Sequence, residues 1–109
     1  MKLIIAVVQR QDESLLTRAL SDRQVGVTRV SSQGGFLREG NVTLFVVIAD
    51  HRVDEVMQIV RKHCYTRTKF VAPLPPVAES GEFYPSTPIE VQVGGATVFV
   101  VSASVLGRV

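Results

Sequence analysis

The run from Lys2 to Val8, KLIIAVV, is apolar without alternation and rich in β-branched residues. That is the pattern of a central strand buried on both faces. Asp12 stands where it can cap a helix, in which Leu15, Leu16, Ala19 and Leu20 recur at helical spacing up to an end near Asp22 or Arg23. Val25 to Ser32 reads as a second strand, with Thr28 and Val30 on one side and Arg29 on the other. After a glycine-rich turn, Val42 to Ala49, VTLFVVIA, repeats the pattern of the first strand. Asp50 then caps a second helix, whose Val53, Val56, Met57, Val60 and Cys64 make one apolar stripe. Ile89 to Val93 alternates cleanly, and Gly94-Gly95 joins it to Ala96 to Val101, the local signature of a β-hairpin.

The order β-α-β-β-α-β with the last strand doubled predicts an α+β, ferredoxin-like fold carrying an extra C-terminal hairpin strand. Two helices cover one face of such a sheet. Because the first and third strands are apolar on both sides, the second face also needs cover, and another copy of the chain is the simplest one. The expectation is a homo-oligomer whose sheets face inward.

Length and composition agree with one domain over residues 1–109, its 46% apolar content being enough for a real core. No basic segment followed by an apolar one opens the sequence, and no apolar run reaches the roughly 18 residues of a membrane span. A single cysteine leaves no internal disulfide. A cytoplasmic protein without membrane contact is expected. The segment of about 65–88 holds all five prolines and no periodic pattern, which makes it a long loop, either an effector surface or a clamp over a neighbouring subunit. Net charge is only +2, but residues 1–70 hold eleven Lys and Arg against seven Asp and Glu, and residues 71–109 one against three. A small anionic ligand suits that distribution better than a nucleic-acid duplex.

The turn GGFLREGN supplies candidate chemistry. Gly34 and Gly35 let backbone N–H groups approach an anion, Arg38 can meet a phosphate, Phe36 can stack on a base, and Asn41 offers a donor and an acceptor. The same residues also fit an ordinary turn in which glycine provides positive φ and phenylalanine packs. GxxxxGK[ST] and GxGxxG are absent, and the third strand lacks the RNA-binding aromatic pattern. His63 and Cys64 are helix neighbours pointing about 100° apart, a poor pair of metal ligands, and His51 has no partner histidine nearby. No metal and no catalytic constellation is expected, so a non-enzymatic protein is the reading. A sensor of ATP, ADP or another nucleotide, an adaptor oligomer without ligand and a small phosphate-ester hydrolase are the rivals.

MKLIIAVVQ, TxxxxxGGFLREGNVT, RVDEV and VQVGGATVFV resemble the bacterial PII-like cyclic di-AMP receptor family along essentially the whole chain. The resemblance implies a homotrimer that binds one cyclic dinucleotide in each cleft between subunits and signals to a downstream protein through loop rearrangement. It places ligand contacts at Thr28, Gly35, Phe36, Leu37 and Asn41, with Phe99 in the last strand. Phe36 and Leu37 would lie against an adenine, Thr28 and Asn41 would hydrogen-bond, and the glycine backbone would face phosphate. The chain departs from the family pattern at Gly26, Val47 and Arg108.

Overall fold

In the computed structural model the structure describes residues 1–30, 40–71 and 88–109. Strand β1 (Lys2–Gln9) leads directly into helix α1 (Arg10–Asp22), followed by a short β2 (Thr28–Val30) and by β3 (Asn41–Ile48). A single 3₁₀ turn, Asp50–Arg52, opens α2 (Val53–Cys64), and β4 (Arg67–Val71), β5 (Ile89–Val93) and β6 (Ala96–Ser102) complete the order. The main sheet runs β2-β3-β1-β6 and all its pairings are antiparallel. With two helices on one face, this is the strand order of a ferredoxin-like fold.

The core lies between that face and the helices. Ile4, Ala6 and Val8 of β1 and Val42, Leu44, Val46 and Ile48 of β3 meet Leu16 and Leu20 of α1 and Val56, Val60 and Cys64 of α2. Val53 and Ile59 pack at its margin, Ile59 lying outside the stripe expected from the sequence. The opposite face is open in the single chain. Register places Leu3, Ile5 and Val7 on it beside Val47, Phe45, Val101 and Phe99, and Val47, Phe99 and Val101 remain about half exposed at 56%, 47% and 45%. The central strands are therefore apolar on both faces but buried on one.

Several local expectations change. Asp12 does not cap α1, which starts at Arg10 because β1 runs straight into it. It lies one turn before Leu16, is buried, and binds the Arg67 guanidinium at 2.7 Å. Leu15 is 60% exposed because the buried stripe runs through residues 12, 16 and 20. Asp50 forms no side-chain cap either; its carboxylate pairs with the N-terminal ammonium at 2.6 Å, which lowers its pKa.

The larger change concerns the C-terminal strands. The expected β5–β6 hairpin does not form: β5 pairs with β4 as a separate two-stranded ribbon, and β6 takes the free edge of β1. Part of the segment read as a loop is thus strand β4, while residues 72–87 lie outside the described residues. Gly94 and Gly95, with φ of 82° and 89°, turn the chain from ribbon to sheet. Their N–H groups are not spent on a hairpin ladder. Gly94 donates to the Gln9 side-chain oxygen at 2.7 Å and Gly95 to the Cys64 carbonyl. Opposite them Arg67 binds Asp12 and the Tyr65 carbonyl, and its guanidinium lies 5.4 Å from the Tyr65 ring centroid.

A Cβ at Gly94 would collide with the Tyr65 carbonyl oxygen and the Arg67 guanidinium. Gly94→Ala is expected to destabilise the protein by upward of about 1 kcal/mol, measured by urea unfolding. Burial, with Asp12 nearby, pushes the Cys64 thiol from 9.0 up to about 11. The folded state therefore favours the neutral thiol, so this contribution is complete below the unfolded value of 9.0 and is lost as pH rises towards about 11. Thiol reagents are expected to label Cys64 slowly at pH of about 8 until denaturant is added.

Candidate functional site

Where β1 ends and β3 and β6 begin, the sheet rim forms a cleft of about 350 Å³ lined by Val7, Val8, Gln9, Asn41, Thr66, Gly94, Gly95, Ala96 and Thr97. Its walls come from three sources. The strand ends supply Gln9, Asn41 and Thr97, the start of the ribbon supplies Thr66, and the glycine corner closes the rim. The corner can pass close because glycine has no side chain: a Cβ at Gly95 would sit 2.9 Å from the Thr66 hydroxyl. Gln9 and Asn41 are direct cross-strand partners in the β1–β3 register. Their carboxamides therefore stand on one face of the sheet, next to each other.

Among the described residues, those lining this cleft carry no ionisable side chain. The nearby Arg67 is committed to Asp12, whose hydrogen bond raises the Arg67 pKa. The described lining offers amide and hydroxyl donors and acceptors. Such a surface hydrogen-bonds a planar heteroaromatic edge better than it neutralises a phosphate. A second cleft of about 350 Å³, between α1 and α2, is lined by Asp22, Arg23, Glu55, Lys62 and His63 among others. There Arg52 and Arg23 both bind Glu55 and lower its pKa, so much of its polarity is spent internally.

Of the residues expected to meet a ligand, Asn41 lines the rim cleft. Thr28 and Phe99 do not. They lie in one row that crosses the sheet through Thr28, Phe45, Ile5 and Phe99. Asn41 is four residues along β3 from that row, about 13 Å at strand rise, and Thr28 and Phe99 occupy opposite sheet edges about 14 Å apart. Gly35, Phe36 and Leu37, with Gly34 and Arg38, lie outside the described residues. Val47 is on the open face and Gly26 has open space at its Cβ position. Among the described residues no group of His, Cys, Asp and Glu is placed to hold a metal, and no helix is long and apolar enough to cross a membrane.

Gln9, Thr66 and Thr97 are not singled out by the sequence, and Gly94 and Gly95 only as a hairpin turn. The usable signal was Gln9, a polar residue closing an apolar strand immediately before a helix. Its partner Gly94 is 85 residues away and could not be paired with it from the sequence.

Comparison with known proteins supplies the remaining observations. The chain is 39% identical to a functionally unknown protein from Pediococcus pentosaceus ATCC 25745, whose crystal structure it matches with a TM-score of 0.76 over 99% of this chain and 96% of that one. The family model for the cyclic-di-AMP receptor matches residues 1–108. With nearly the whole length matched, the chain belongs to the cyclic-di-AMP receptor family.

Proposed function

We propose that the protein is a cytoplasmic, non-enzymatic PII-like receptor of one domain, which binds cyclic di-AMP in the clefts between subunits of a homotrimer. Family membership supports the ligand class. The observation that carries the assembly is the open sheet face, where Leu3, Ile5, Phe45, Val47, Phe99 and Val101 form a contiguous apolar surface on a chain whose helices cover only the other side. Packing three such faces about an axis removes that surface from water.

The same assembly would bring the separated expected ligand contacts to one cleft. Thr28 and Phe99 sit at opposite sheet edges, so a ligand touching both must lie between one subunit's β2 edge and the next subunit's β6 edge. Asn41 supplies hydrogen bonds at the end of the cleft. Gly35, Phe36 and Leu37 follow β2 in sequence and complete the site in this reading, with the two side chains against an adenine. Binding then reports outward by population shift. Ligand that binds one loop arrangement more tightly than another raises the population of that arrangement, which a downstream protein recognises.

Thermal unfolding with cyclic di-AMP, cyclic di-GMP, ATP and ADP in turn tests the ligand. At a hundred times its Kd a ligand adds about 2.7 kcal/mol, so cyclic di-AMP is expected to raise Tm by several degrees, and to be recovered intact. A shift with ATP or ADP alone would replace this reading with that of an adenine-nucleotide sensor. Asn41→Ala is expected to weaken cyclic di-AMP about tenfold by calorimetry while the assembly keeps its mass, as loss of a hydrogen bond or two predicts. Val101→Asp places a carboxylate on the open face and is expected to give folded protein of monomer mass in sedimentation; an unchanged trimer would remove this face from the interface.

A further inference from the structure

Gln9 occupies the N-cap of α1 without capping it: its side chain forms no capping hydrogen bond to the helix backbone. Glutamine is not among the residues favoured there, so helix stability does not account for it. Its carboxamide is used elsewhere. Oε1 accepts from the Gly94 N–H at 2.7 Å and from Gln11 Nε2 at 2.8 Å. Because a backbone N–H can only donate, the amide orientation is determined, with oxygen towards Gly94. The NH₂ group is left with two donors for which the described residues supply no acceptor.

That amide lines the rim cleft beside Asn41, its cross-strand partner. Gly94, held by its other end, is where the ribbon meets the sheet. One side chain thus touches the cleft and the base of the β4–β5 ribbon.

Resting on the reading of the cleft given above, we propose that Gln9 is a second base-reading carboxamide, and that it couples ligand binding to the ribbon through Gly94. The ligand group is a purine edge with an unprotonated ring nitrogen, which accepts from Nε2. The described polar lining here, Gln9, Asn41, Thr66 and Thr97, supplies the amide and hydroxyl groups that match the donors and acceptors of a base edge. Once Nε2 is engaged, the amide loses freedom to rotate, and the bond from Gly94 to its oxygen is held more firmly. Gln9 acts as a positioning residue for the ribbon and as a direct ligand contact.

The test uses the full chain, with cyclic di-AMP as probe, and combines calorimetry with amide exchange at Gly94 in the wild type, Gln9→Met, Gln9→Glu and Asn41→Ala. Methionine keeps the length without hydrogen bonds; glutamate keeps the acceptor for Gly94 but loses the donor. In the wild type, saturating ligand is expected to slow Gly94 exchange about tenfold. Gln9→Met should bind at least tenfold more weakly and, at saturation, leave Gly94 exchange unprotected. Gln9→Glu should keep the ligand-free protection of Gly94 yet bind at least tenfold more weakly, and it serves as the measurement if the methionine variant does not fold. If either Gln9 variant binds within twofold of wild type while Asn41→Ala is impaired, the inference falls and the cleft reading stands. Ligand protection of Gly94 in Gln9→Met equal to wild type would overturn the coupling. No binding by the wild type overturns both.

Discussion

The pairing of β1 on both its edges, to β3 along its whole length and to β6 along nearly all of it, is the constraint from which the rest follows. Both edges are satisfied by backbone hydrogen bonds, so both faces must be dealt with by side chains. The helices close one of them with Leu16, Leu20, Val56 and Val60. They leave the other apolar and open, and a surface of that kind is unfavourable in water until a second body covers it. The same pairing ends the three strands together at Gln9, Asn41 and Ala96, which creates the rim cleft.

A second constraint sits at that rim. The chain must leave the ribbon and enter the sheet within two residues, next to the segment that leaves α2 for β4. Glycine at both positions permits the positive φ and the close approach to Tyr65, Thr66 and Arg67. The buried Asp12 carboxylate and Arg67 hold the crossing from the other side. Asp12 is buried while Arg67 keeps part of its side chain in water, and the cost of desolvating the carboxylate offsets much of their attraction. Site and crossing share Thr66, Gly94 and Gly95, which makes the start of the ribbon part of the wall of the cleft.

This juxtaposition has a functional meaning for a receptor. A signal requires that the ligand touch something whose arrangement a partner can distinguish. The rigid sheet cannot change much, because its core is closely packed. The ribbon meets the sheet through the glycine corner and a few polar contacts, and its Phe70, Val71, Ile89 and Val91 are exposed. Among the described elements it is sparsely packed, which lowers its resistance to rearrangement.

The sequence by itself determined both helices, the central strands and the two-sided apolar character of β1 and β3, because periodicity and β-branched runs are local and survive without tertiary information. The blocks around the glycine turn carried a family resemblance that the match over residues 1–108 upholds. Tertiary structure alone decided which strand pairs with which. Ile89–Val93, Gly94-Gly95 and Ala96–Ser102 satisfy every local condition for a hairpin, yet β5 joins β4 and β6 joins β1. Hydrogen-bonding edges are alike in sequence, and the choice depends on which edge the rest of the chain leaves bare. For the same reason Asp12 read as a cap, when its partner Arg67 is 55 residues away, and Gln9 was silent, when Gly94 is 85 residues away. Contacts at that separation are selected by packing, and no short window of sequence contains both partners.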